Sequence, residues 1–129
     1  MEKKRILILG NKKLDTSSVA GCLKEAGYHP RFVFSKKQAW SALTKQPKAY
    51  NVVMVDSVAT MRDDLDLLTK IKASPKLCDI PVIIETNRGN TDKYLASLEA
   101  GAFDFIYKPI DDNFLLHVIN NATKSRLMS

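Results

Sequence analysis

Residues 51–73, NVVMVDSVATMRDDLDLLTKIKA, contain one whole unit of the fold. NVVMVD stays apolar until Asp56, as a strand does when it runs through the interior and surfaces only at its C-terminal end. DDLDLLTKIKA (63–73) then changes to helical period and opens with acids, which suit the positive end of a helix dipole. A buried strand that ends on a carboxylate and leads into an amphipathic helix is half of a βαβ crossover. The question is whether the chain repeats it.

It does, on both sides of this stretch. RILIL (5–9) is a first strand, followed by a helix from Asp15, its expected N-cap, in which Val19, Cys22, Leu23 and Ala26 share a face until Gly27 ends it. RFVF (31–34) is a short second strand. Ser35 caps a helix whose inward residues are Ala39, Trp40 and Leu43, with Pro47 past its end. Beyond residue 73, IPVIIET (80–86) is a fourth strand with Pro81 near its start, TDKYLASLEA (91–100) a helix stopped by Gly101, AFDFIY (102–107) a fifth strand, and DDNFLLHVINNATKSRL (111–127) a final helix. Five βα units joined by right-handed crossovers predict an α/β fold, a doubly wound five-stranded parallel sheet with helices on both faces.

Composition bounds the answer. A chain of 129 residues fits a single domain, 1–129, with room for one continuous core and no need of disulfides or metals. No stretch approaches the ~20 apolar residues of a membrane span. MEKKRILILG is basic then apolar, but its apolar run, Ile6 to Leu9, is shorter than a signal-peptide core, so it reads as the first strand of a cytoplasmic protein. Cys22 and Cys78 lack metal or redox spacing and read as buried structural thiols. The net charge of +6 arises in residues 1–48, where eleven Lys and Arg face Glu2, Asp15 and Glu25. These cations are dispersed, with few aromatics and no nucleic-acid motif among them, so they read as solvated surface rather than a DNA or RNA site. GxGxxG and P-loop patterns are missing, which argues against a nucleotide-binding enzyme.

In an open parallel sheet, chemistry gathers beyond the C-terminal strand ends. The residues predicted there are Gly10 and Asn11 after the first strand, Asp56 at the end of the third, Thr86 at the end of the fourth, and Lys108 with Pro109 at the end of the fifth. An aspartate, a hydroxyl and a lysine brought together suit a phosphoryl group, with a carboxylate to accept it and donors to hold its oxygens.

Over nearly its whole length the sequence resembles the receiver domains of two-component response regulators. The resemblance rests on VVMVDSVATMRDDLDLL, IPVIIET and GAFDFIYKP, taken in their order and spacing. It implies the flavodoxin-like (βα)5 fold with strand order 2-1-3-4-5, and a signalling module in a phosphorelay rather than an enzyme. Asp56 would be the phosphoacceptor, Thr86 and Phe105 the switch pair, and Lys108 the lysine of the site. A histidine kinase would be the partner, and a homodimer through the fourth helix, fifth strand and fifth helix would be expected, with Lys93, Tyr94 and Tyr107 on that surface. His29 and His117 have no convincing partners in the sequence, and His117 reads as a surface residue.

The departures from the family pattern are specific. Receivers ordinarily follow the first strand with two acids that help hold Mg²⁺, and those positions fall here on Gly10 and Asn11. Of the implied metal ligands, Asp56 keeps its carboxylate, Asn11 offers a neutral carbonyl, and Val58 contributes only its backbone. Thr60 and Asp64 replace a proline and a glycine of the loop after Asp56. Mg²⁺ binding is therefore expected to be weak or lost, and phosphorylation weak or atypical. Lys12 is a candidate charge substitute, able to pair with Asp56 alongside Lys108. The alternative reading is a phosphorylation-independent docking or dimerisation module, a pseudo-receiver.

Overall fold

The computed structural model describes residues 4–10, 17–56, 63–87 and 91–128. Its elements follow in strict alternation: β1 (Lys4–Leu9), α1 (Ser17–Glu25), β2 (Tyr28–Val33), α2 (Lys36–Lys45), β3 (Val52–Asp56), α3 (Asp63–Ala73), β4 (Val82–Asn87), α4 (Thr91–Glu99), β5 (Asp104–Lys108) and α5 (Asp112–Met128). The strands form one sheet of order β2-β1-β3-β4-β5, and every neighbouring pair is parallel. This is the doubly wound arrangement that the alternation predicts.

Strand parity sorts the core into two layers. Ile6, Ile8, Val52, Met54, Ile83 and Ile106 turn to the face covered by Leu23 of α1 and by Leu115, Val118, Ile119 and Ala122 of α5. Leu7, Leu9, Val53, Val55, Val82, Ile84 and Phe105 turn to the other, where Ala39, Ala42 and Leu43 of α2 and Leu67, Leu68 and Ile71 of α3 close over them. β1 and β3 carry buried residues on both faces because they sit inside the sheet.

Where the element limits depart from expectation, a specific contact sets them. β2 begins at Tyr28 rather than at 31, since it pairs with all of β1 from Lys4↔Tyr28 to Leu9↔Val33, and Pro30 is tolerated because β2 is an edge. α5 begins at Asp112 because the Asp111 carboxylate caps it, accepting from the Phe114 N–H at 3.0 Å. β4 and β5 start two residues later than predicted, with Pro81 ahead of β4 rather than within it. Ser35 caps α2 as predicted, its hydroxyl accepting from the Gln38 N–H at 3.0 Å. Gly27 follows α1 at a φ of 91°, a conformation that favours glycine.

Two sequence expectations need correction in degree. Cys22 and Cys78 are free thiols but only half-buried. Cys78 lies in the turn after α3, its thiol 3.8 Å from the Pro75 carbonyl oxygen. Trp40 is likewise half-buried; it packs against the core edge while the Lys70 ammonium lies 5.0 Å from its ring centroid. Among the described residues, no helix is long and apolar enough to cross a membrane.

Candidate functional site

The parity that builds the core also selects the residues of the site. Residues 52 and 54 of β3 face the α1/α5 layer, so Asp56 continues that row. Ile83 of β4 and Ile106 of β5 do the same, and two residues further along each strand come Glu85 and Lys108. Three adjacent strands therefore place an aspartate, a glutamate and a lysine on one side of the sheet. Asp56 and Glu85 are direct register partners.

The lysine bridges the two acids. Lys108 Nζ lies 2.6 Å from Asp56 Oδ2 and 3.9 Å from Glu85 Oε2. Asp56 is 6% exposed and Glu85 4%. At such depth the interaction is little screened by salt and is charge-assisted. Burial, followed by the Asp56 charge, pushes the Glu85 carboxyl up to about 7, with the Lys108 ammonium opposing the rise. The site thus holds two carboxylates of which one is readily protonated near neutral pH.

Thr86 and Phe105 take the other parity. Thr86 is 2% exposed and registers with Tyr107, while Phe105 is 3% exposed and registers with Ile84. The expected switch pair therefore shares a face of β4 and β5, opposite to Asp56 and Lys108. Tyr107 is partly exposed on the edge strand, and His29 and His117 are on the surface. Asn11, Lys12 and Val58 lie outside the described residues, as do Asp15, Thr60 and the side chains of Asp64, Lys93 and Tyr94.

Gly10, which the described residues do include, follows β1 and donates its N–H to the Val33 carbonyl at 3.0 Å. A Cβ added there meets no heavy atom within 4 Å. Nothing in the described surroundings requires glycine sterically.

Magnesium is a hard cation that prefers an octahedral array of oxygens, usually with one or two carboxylates. Among the described residues no group of three or more His, Cys, Asp or Glu is placed to hold a metal ion, and the Asp56 carboxylate already faces an ammonium. Of the expected magnesium ligands, only Asp56 lies among the described residues, and its carboxylate faces the Lys108 ammonium.

Glu85 is the residue that sequence reasoning passes over. IPVIIET reads as a strand that delivers Thr86, and attention to Thr86 hides the residue before it. The signal is a charged side chain inside an apolar run, on the same parity as Asp56 once β3 and β4 are paired.

The sequence profile of the response regulator receiver domain matches residues 6–120. Two-component response regulator ORR11 of Oryza sativa subsp. indica is 30% identical over 105 residues, which cover 81% of this chain and 71% of that protein. An NtrX-like response regulator of Rickettsia typhi is 26% identical over 122 residues, 95% of this chain but 25% of its own length. Among solved structures, NtrX of Brucella abortus in complex with ADP superposes with a TM-score of 0.83 at 27% identity, covering 98% of this chain and 27% of that one. A response regulator receiver domain protein from Clostridium thermocellum superposes at 0.86 with 23% identity, covering 97% and 98%. That likeness speaks for the fold.

Proposed function

Because the chain belongs to the response regulator receiver domain family, we propose that Asp56 accepts a phosphoryl group and that the folded surface relays its presence. The observation that carries this reading is the Lys108–Asp56 contact of 2.6 Å at the C-terminal strand ends. A carboxylate oxygen of Asp56 attacks the phosphorus of a phosphorylated histidine on a kinase. The O–P bond forms as the N–P bond breaks, the imidazole nitrogen leaves with the electron pair and takes up a proton, and Asp56 becomes an acyl phosphate. Lys108 supports the negative charge that spreads over the phosphoryl oxygens, and Thr86 and Phe105, on the other face of β4 and β5, pass the change on to the surface.

In this reading magnesium binds weakly, and the carboxylate missing at Gly10 is a main cause. Replacing Gly10 and Asn11 together by aspartate is expected to tighten Mg²⁺ binding by about tenfold or more, since oxygen donors and their charge set affinity for hard cations. Magnesium titration of both proteins with the phosphoryl-mimicking beryllium fluoride complex tests the reading. The double variant should bind the complex at lower magnesium than the wild type, and failure of both at millimolar magnesium would count against phosphoryl acceptance.

A second reading, phosphorylation-independent dimerisation, is favoured by one feature. Leu95 and Leu98 of α4, Phe103, Tyr107 of β5 and Phe114 of α5 are all at least 36% exposed, on elements at the β5 edge of the sheet. Exposed apolar side chains on these elements are what a self-association face would use. Leu98→Glu is expected to weaken self-association by about tenfold in sedimentation equilibrium if this face pairs with a second copy, about what one buried apolar anchor contributes.

A further inference from the structure

Glu85 has no part in the transfer just described, yet it occupies the position beside the acceptor. It is 4% exposed, follows Ile83 and Ile84 in an apolar strand, and is the register partner of Asp56. Neighbouring strands run about 4.8 Å apart, so the two side chains emerge side by side. An aliphatic residue would suit such a position better, because apolar replacement of buried charges is often neutral or stabilising. The carboxylate is not explained by packing.

We propose that Glu85 is a positioning residue that shares the Lys108 ammonium with Asp56 and so restrains Asp56 as a phosphoryl acceptor. The proposal rests on the reading of Asp56 given above. Lys108 Nζ stands 2.6 Å from one carboxylate and 3.9 Å from the other, so the cation that should meet the incoming phosphoryl oxygens is already drawn toward a second anion. The arriving group also brings negative charge next to Glu85. One unit charge roughly 5 Å away in protein surroundings changes such an equilibrium on the order of tenfold to a hundredfold. Glu85 works through Lys108 and through the local potential, and it makes no bond to phosphorus.

Two variants separate charge from shape. Glu85→Gln keeps the size and polarity of the side chain, Glu85→Val suits a buried strand, and the two share only the loss of charge. With acetyl phosphate as donor, both variants of the 129-residue chain are expected to be phosphorylated at Asp56 about tenfold faster than the wild type or more. Both should also move the Lys108 Nζ resonance in NMR spectra that otherwise keep the native pattern. A labelled wild type whose two variants are no faster overturns the restraint, as does acceleration by only one of them or an unmoved Lys108 resonance. If neither the wild type nor the variants take up a phosphoryl group, the Asp56 reading fails, and the restraint falls with it.

Discussion

Lys108→Met is expected to destabilise the domain by about 2–4 kcal/mol at pH 8, somewhat less than the ~3–5 kcal/mol typical of removing one partner of a buried ion pair, because the lysine side chain is 26% exposed. The cause lies in what remains. Asp56 and Glu85, at 6% and 4% exposure, would face each other across adjacent strands without the ammonium that lies against both. Methionine matches the length and volume of the lysine stem, so little of the loss would come from packing. The loss should shrink as pH falls and one carboxylate takes up a proton. Adding Glu85→Gln to Lys108→Met should recover part of it, giving a coupling of about 1 kcal/mol or more in a double-mutant cycle. Urea titrations of the four proteins measure all of these quantities.

The pH dependence of stability should carry a clear signature of Glu85. Its carboxyl is raised from the ordinary 4.5 to about 7 by burial and by the Asp56 charge. The folded state therefore holds this proton where the unfolded chain has released it, and stability falls as pH rises from about 4.5 through 7. A tenfold difference in proton affinity between the two states corresponds to about 1.4 kcal/mol, so the whole contribution is on the order of 3 kcal/mol, present below the window and lost above it. Glu85→Gln has no such proton to lose. Between pH 5 and 8 the variant is expected to gain on the wild type steadily and to be the more stable of the two at pH 8. Parallel pH profiles for the two proteins would contradict the assignment.

The architecture was legible because each strand announced itself twice, as an apolar run and as the start of a new βα unit. NVVMVD needed no partner to be recognised, since Asp56 closes a run buried on both faces. RFVF alone makes too short a strand because the extent of β2 is set by pairing with Lys4–Leu9, which periodicity along one strand does not contain. The start of α5 depended on which of two adjacent aspartates caps it, a matter of side-chain geometry. Cys78 was expected to be buried, but depth in a turn follows from what covers it.

The candidate site was half legible. Asp56 and Lys108 were anticipated as neighbours, and they meet at 2.6 Å. Glu85 was not, because its importance appears only when the register Asp56↔Glu85 joins two strands separated by a helix in sequence. Thr86 and Phe105 share a face of the sheet, opposite to Asp56 and Lys108, a matter of pairing that the sequence alone does not contain. Gly10 was expected, from the resemblance, to stand where the family has an acid. That the position has room for a side chain is a property of the folded surroundings.

Phosphoryl transfer to the purified chain from acetyl phosphate, with the modified residue located by mass spectrometry after borohydride trapping of the acyl phosphate, tests the central claim most directly. The account predicts slow incorporation of one phosphoryl group at Asp56, abolished by Asp56→Asn and faster in Glu85→Gln. Incorporation that persists in Asp56→Asn, or a wild type that remains unlabelled at millimolar magnesium, would contradict it.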